Sequence, residues 1–374
     1  MNGLCGVTMV RSTIDNRSEE GPMTKVTTVG IDLAKSGFQV HGGDARGRAV
    51  FSKRLTRSQL LKFLANLPPC LVGMEACATA HYWAREIAKL GHEVRLMTPR
   101  FVRPYVKGNK NDASDAEAIC EAVRRPTMRF VAVKSPAQQD LQALHRVRHQ
   151  LVKQHTALSN QVRGLMAEYG IVIPKGFAAL RRALPKIVEE RDDGLSGLMR
   201  DLVLDLSERL RYTEQRLRRY DQHITQLLKQ DERCQRLAAV PGVGPLTATA
   251  VVAAVGNARE FRSGRELAAY LGLVPRHRAS GGHIVMLGIS KRGDRYLRTL
   301  LIHGARAAMR TIERRHDPRS LWASRLRGRR GPNVAAVALA NKNARVMWAL
   351  LTKGDCYRAT THAGPFSARV PQVR

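Results

Sequence analysis

The chain is short of acid. It carries 31 Asp and Glu against 63 Lys and Arg, a formal net charge of +32 over 374 residues. That deficit predicts a polyanionic partner, and nucleic acid comes first, because each phosphate neutralised releases a condensed counterion. Aromatic residues make up only 5%, which argues against extensive base stacking of the single-strand-binding kind. Cysteine is sparse. The six are scattered and form no Cys-x-x-Cys pair, which argues against a structural zinc site and for reduced thiols in a cytoplasmic protein. Long apolar runs are missing too. The best, Leu246–Val255, is too short to span a bilayer, so no membrane is expected as partner. The first residues lack the charged-then-apolar order of a signal peptide. Residues 1–24 are expected to be a disordered leader, with Met23 an alternative start.

What is present falls into three blocks. Residues 25–130 read as α/β. "KVTTVGIDLA" is a strand ending in Asp32, and "FQVHGGDARGRAVFSKRL" is a hairpin turning at Gly42–Gly47. A short helix follows in "SQLLKFLANL", then a buried strand in "PPCLVGMEA" ending at Glu75. "AHYWAREIAKLG" is a helix stopped by Gly91, "HEVRLMT" is a strand, and another helix begins near Asp112. Three strands joined by tight turns, then alternating helix and strand, is the order of a ribonuclease-H-like domain. Residues 131–232 read as long amphipathic helices, a helical hairpin or coiled coil broken by "IVIPKG" at 171–176. Residues 233–355 begin with helix, Gly-rich turn, helix in "LAAVPGVGPLTATAVVAAVG". Residues 356–374 form a basic tail. The expected fold class is thus α/β plus all-α.

The block 109–119, "NKNDASDAEAI", gathers Asp112 and Asp115 in basic surroundings. Alone, such acids have a bland explanation: Asp112 or Ser114 caps a helix, Ser114 and Glu117 fit a capping box, and acids suit the first helical turn. Asp32 and Glu75 at two strand ends change that reading. Four carboxylates converging at one sheet edge repel one another unless cations neutralise them. Mg²⁺ fits, as a hard cation that takes oxygen ligands and phosphate oxygens together.

With these residues in view, the chain resembles the DEDD insertion-sequence transposases (the IS-one-ten family, in its IS-eleven-eleven branch) from about Lys25 to about Leu351. Asp32 in "GIDLAK", Glu75 in "GMEA", and Asp112 with Asp115 in "NDASDA" match the four carboxylates. "VPGVGPLTA", "FRSGRELAAYLGLVPR" and "SGGHIVMLGISKRGDRYLRTLLIHGAR" resemble the family's second conserved domain. Ala279, where a second serine is often found, and His283, where Lys or Arg is common, depart from its pattern. The resemblance implies a RuvC-like catalytic domain, a helical linker and a small helical transposase domain carrying a serine. It also implies a structured non-coding guide RNA that pairs with donor and target DNA. Strand exchange would then use a serine nucleophile beside the acidic metal site of a partner subunit.

Ser280 in "ASGGH" matches that serine. A Ser-Gly-Gly is ordinarily a flexible loop, but Arg276, Arg278, Lys291, Arg292 and Arg295 lie nearby in sequence, and a serine attacking a phosphodiester needs cations for the transition state. Ser290 is the fallback nucleophile and also reads as an N-cap before a basic helix. Gly242 and Gly244 in "PGVGP" form a helix-hairpin-helix-like turn whose N–H groups could hold a phosphate; a plain tight turn is an equal reading. His145 and His149 have metal-ligand spacing without a carboxylate to complete it, and Arg146 and Arg148 beside them suggest a helix facing nucleic acid.

The main reading is an RNA-guided DNA recombinase. Its alternative is a RuvC-like structure-selective endonuclease, a junction resolvase cleaving with metal-activated water, which has no need of Ser280. A non-catalytic binding protein fits least, since acids in a DNA cleft cost affinity unless metals occupy them. The long helices argue for a homo-oligomer, dimer or tetramer. From the charge alone, nucleic-acid affinity should fall steeply with salt. A binding titration across a salt series checks this, and a flat response would contradict it.

Overall fold

The computed structural model describes residues 25–107, 111–189, 194–281 and 283–358. The expected leader, Gly282 and the tail from residue 359 lie outside the described residues. The chain divides into two compact units, Met1–Val133 and Lys134–Arg374.

In the first unit the chain runs through β1 (Thr28–Leu33), β2 (Gly37–Gly43), β3 (Ala49–Thr56), α1 (Arg57–Ala65), β4 (Leu71–Glu75), α2 (Ala80–Ala88), β5 (Glu93–Met97), α3 (Pro99–Val102), α4 (Asp112–Val123) and β6 (Phe130–Val131). The strands form one mixed sheet in the order β3-β2-β1-β4-β5-β6. β2 runs antiparallel to its neighbours β1 and β3, β1, β4 and β5 run parallel, and β6 returns antiparallel. This order is compatible with the ribonuclease-H-like expectation. The β2–β3 turn closes on Asp44, whose Oδ1 accepts from the N–H groups of Arg46 and Arg48, both at 2.9 Å.

Strand alternation sorts the two sheet faces. Val29, Ile31, Val72 and Met74 point to one face, where they are fully buried with Leu60 and Leu64 of α1 and Ile87 of α2. Gly30 and Gly73 face the other way, and α4 lies on them. Asp32 and Glu75 fall two residues further along on this α4 side.

The second unit is mostly helical: α5 (Pro136–Ala167), α6 (Phe177–Glu189), α7 (Gly197–Gln230), α8 (Glu232–Ala238), α9 (Pro245–Val255), α10 (Gly264–Tyr270), a ribbon of β7 (Pro275–Ser280) with β8 (His283–Ile289), then α11 (Arg295–Arg310), α12 (Pro318–Arg330) and α13 (Pro332–Lys353). Helix α5 starts on a capping box: Ser135 Oγ accepts from Gln138 N–H, the Gln138 side chain accepts from Ser135 N–H, and Pro136 occupies the first turn. The long helices α5 and α7 pack on each other and both reach α9. Val162, Met166, Leu180, Leu184, Val203, Leu206 and Leu210 make their own small core with α6. A larger core centres on α9, with Leu267, Leu301 and Leu339 fully or nearly fully buried.

Here the histidine reading needs correction. His145 does not face solvent or nucleic acid; it is buried. Thr249 Oγ1 donates to the Pro245 carbonyl at 2.7 Å, and so accepts from His145 Nε2–H at 3.0 Å. His145 Nδ1 then accepts from the Tyr296 hydroxyl at 3.1 Å. One neutral tautomer satisfies both bonds, and it ties α5 to α9 and α11. His149 meets the same Tyr296 ring edge-on at 5.1 Å. Burial, aided by the nearby Arg148 charge, holds the His145 pKa down at about 4. The unfolded chain therefore takes up this proton near pH 6.5, before the folded protein does. The associated stability is complete above pH 6.5 and is lost as pH falls towards 4, by about 3 kcal/mol in all. Urea unfolding at stepped pH should show that extra decline in the wild type and a shallower one in His145→Gln.

Candidate metal centre and nucleic-acid interface

The register of β1 and β4 pairs Ile31 with Met74. The next residues, Asp32 and Glu75, are the penultimate residue of β1 and the last of β4; they share one sheet face and each is half-buried. Helix α4 brings in the other acids. A Cβ on Gly30 would stand 2.3 Å from the Ala116 carbonyl oxygen and 2.4 Å from Cys120 N, so α4 sits directly on β1 at that point. Val123, at the far end of α4, lies over Gly73, and Cys120 Sγ reaches the Thr28 carbonyl at 3.7 Å. The helix thus runs with its first turn towards the strand-end side of the sheet, where Asp112 is exposed and Asp115 half-buried.

Neither aspartate caps the helix. The N-cap is Asn111, whose Oδ1 accepts from Ala113 N–H at 2.7 Å, while Ser114 Oγ donates to the Asn111 carbonyl at 2.8 Å. This corrects the expected capping by Asp112 or Ser114. Asn, Asp and Ser are near-equal caps, and Asn111 comes first along the chain. The consequence is chemical: neither Asp112 nor Asp115 is used as the cap.

Cys77, two residues beyond Glu75, belongs to the same place. Its N–H donates to the Glu75 carbonyl at 2.8 Å. Partial burial pushes its thiol pKa up, and the charges of Glu75 and Asp32 push it further. The donor set, all carboxylate, suits a hard divalent cation. Among the described residues no three His, Cys, Asp or Glu side chains are drawn close enough to hold one.

The second unit carries the basic candidates. Arg276, Arg278, Lys291, Arg292 and Arg295 are all exposed. Ser280 is the last residue of β7, in register with His283; its side chain is not among those described. Ser290 does not cap α11; Asp294 does, accepting from Tyr296 and Leu297 N–H at 2.7 and 3.0 Å. Ser290 Oγ is buried without a partner among the described residues.

Gly242 has φ +89°, and a Cβ there would meet the Gly304 carbonyl oxygen at 2.7 Å, so this glycine seats the turn on α11. Gly244 is the exposed N-cap of α9 and offers no capping side chain, which leaves that helix start open. Two buried arginines, not foreseen from sequence, hold these segments. Arg319 Nη2 donates to the Pro241 carbonyl at 2.8 Å and to Asn343 Oδ1 at 2.6 Å. Arg298 Nη1 donates to the carbonyls of Leu271 and Arg292 at 3.1 and 3.0 Å. In a chain this rich in arginine, nothing local marks which ones turn inward.

Comparison with known proteins decides the family. Residues 29–171 match the DEDD_Tnp_IS110 transposase model, and residues 234–319 match the Transposase IS116/IS110/IS902 family. The chain is 52% identical to a probable family 20 transposase of Pseudomonas aeruginosa, over 89% of this chain and 99% of that one. It is 44% identical to the transposase for insertion sequence element IS1111A of Coxiella burnetii, over 90% and 92%. It is 42% identical to the transposase for IS1328 of Yersinia enterocolitica, over 90% and 99%. The chain belongs to the IS110 family of insertion-sequence transposases. It is therefore an enzyme that cleaves and rejoins DNA, and DNA is its substrate. No described helix is long and apolar enough to cross a membrane.

In this transposase, Gly30 is the contact that sets where the acidic turn of α4 lies. Gly30→Ala should force the helix off β1, cost about 1–3 kcal/mol, and lower DNA cleavage beyond the loss of folded protein. Gly43→Ala, whose Cβ would stand an ordinary 3.5 Å from Cys120 Sγ, is the control. Urea unfolding beside a cleavage assay reads both.

Proposed function

We propose that this transposase is an RNA-guided DNA recombinase that uses a carboxylate-held metal and a serine nucleophile. The observation that supports this reading is the nearness of Asp32 and Glu75 to the ends of adjacent parallel strands, on the sheet face that α4, with Asp112 and Asp115 in its first turn, covers. Asp32, Glu75, Asp112 and Asp115 would hold Mg²⁺, which when bound supplies charge neutralisation and orientation at a phosphodiester. The ribonuclease-H-like reading of the sheet, the helical linker and the C-terminal serine domain belong to the same proposal.

Ser280 would attack a DNA phosphorus. An Oγ–P bond forms and the bond to one deoxyribose oxygen breaks. The serine proton goes, in net, to that leaving oxygen, which becomes a free hydroxyl. Attack by the hydroxyl of the exchanged strand reverses the step and frees the serine. Arg276, Arg278, Lys291, Arg292 and Arg295 would bear the transition-state charge. Gly242 and Gly244 would present the open start of α9 to a phosphate. The charge of +32 supports a nucleic-acid partner, and a structured guide RNA and a homo-oligomer belong to the same proposal.

Alanine at Asp32, Glu75, Asp112 or Asp115 should abolish strand cleavage and leave RNA binding intact. Ser280→Ala should stop exchange without preventing assembly, and wild type should yield a phosphoserine–DNA adduct on a suicide substrate. Sequence-specific DNA binding should require RNA. Equal specificity with and without RNA, with no adduct and free 3′-hydroxyl ends, would instead favour a resolvase using metal-activated water.

A further inference from the structure

The β7–β8 ribbon presents the least expected surface of the molecule. Four consecutive large apolar residues of β8 are exposed: Ile284 by 68%, Val285 by 56%, Met286 by 64% and Leu287 by 37%. The two strands pair with each other, and the base of the ribbon is fixed by Ser290 N–H to the Val274 carbonyl at 2.8 Å and Lys291 N–H to the Gly272 carbonyl at 3.1 Å. A strand that packs on a core shows one apolar face; this one shows two. Exposed apolar area of this kind marks a binding surface.

We propose that the ribbon is a DNA-distorting wedge, in which Ile284 and Met286 enter a groove and open a base step beside the phosphates that are exchanged. Cross-strand pairs place Met286 beside His277 and Ile284 beside Ala279, so this face carries no permanent charge. The other face sets Arg278 beside Val285. Residues 267–293 contain no Asp or Glu, while Arg276, Arg278, Lys291 and Arg292 line the ribbon and its exit. A second copy of a +32 chain brings like charge to this surface, whereas duplex DNA brings the opposite charge. A two-stranded ribbon also fits the width of a DNA groove. Apolar side chains that reach a minor groove insert between base steps and kink the duplex, at an unstacking cost offset by the added contacts. Strand exchange requires pairs to open, so the wedge supplies a step that neither the carboxylates nor a serine performs. The inference rests on the recombinase reading but not on which serine attacks.

The test uses full-length protein with its co-purifying nucleic acid, in EDTA so that DNA stays uncut. The probe is a duplex spanning the element end, with 2-aminopurine at successive positions. Wild type should raise fluorescence several-fold at one base step. Ile284→Ser with Met286→Ser should abolish that rise and leave the salt dependence of binding unchanged. Arg278→Ala should keep the rise and lower the salt slope by about one. The proposal is overturned if no step brightens with wild type or if the rise survives the double substitution. It is equally overturned if light scattering shows the double variant losing subunits, which would make the ribbon an interface between copies. Ser280→Ala should keep the rise; if, in a separate assay with Mg²⁺, the Ser280→Ala protein still cleaves and rejoins DNA, the serine mechanism alone is overturned.

Discussion

Helix α4 can lie where it does because β1 has no side chain at residue 30. With a Cβ there only 2.3 Å from the Ala116 oxygen, any other residue would lift the helix. The packing of α4 on β1 therefore links the sheet, which fixes Asp32 and Glu75, to the helix start that bears Asp112 and Asp115. Asn111 completes the arrangement by capping the helix itself, so neither aspartate serves as the cap. Four acids brought to one place would be costly in isolation, which is why a divalent cation is proposed there together with a phosphate.

The second unit meets the opposite problem. Its arginines repel one another, yet two of them, Arg298 and Arg319, are buried on backbone carbonyls, with no carboxylate among the described residues bonded to them. Each donates to a segment that faces solvent: Arg298 to the Arg292 carbonyl before α11, Arg319 to the Pro241 carbonyl before α9. Buried guanidinium groups thus brace the loops whose exposed neighbours are free to meet phosphate. His145, Thr249 and Tyr296 do similar work at the foot of the long helices, with a neutral ring where a charge would be expelled.

The strands of the first unit were legible because period-two alternation and glycine-marked turns agree there, and Asp32 and Glu75 at the strand ends follow from it. Elsewhere local signals competed. Asn111, Asp112 and Ser114 are all good caps, so the true one could not be singled out from sequence. Helix α6 has no separate mark in the sequence, because it carries Pro185 and follows the breaker at 171–176. The ribbon is hidden in the sequence, because Gly281–Gly282 reads as a loop and the run Ile284–Leu287 lacks alternation. His145 looked solvent-facing between arginines because its partners, Thr249 and Tyr296, lie more than a hundred residues away. The seat at Gly30 carries no sequence mark beyond the glycine itself.

The central claim is that three segments remote in sequence build one cation site. Fe²⁺ in place of Mg²⁺ tests it directly, since bound iron with ascorbate and peroxide cuts the backbone near its ligands. Mass spectrometry of the fragments should find cuts near Asp32, Glu75 and the Asp112–Asp115 turn, suppressed together by excess Mg²⁺. Cuts confined to other segments, or at only one of the three, would contradict the account.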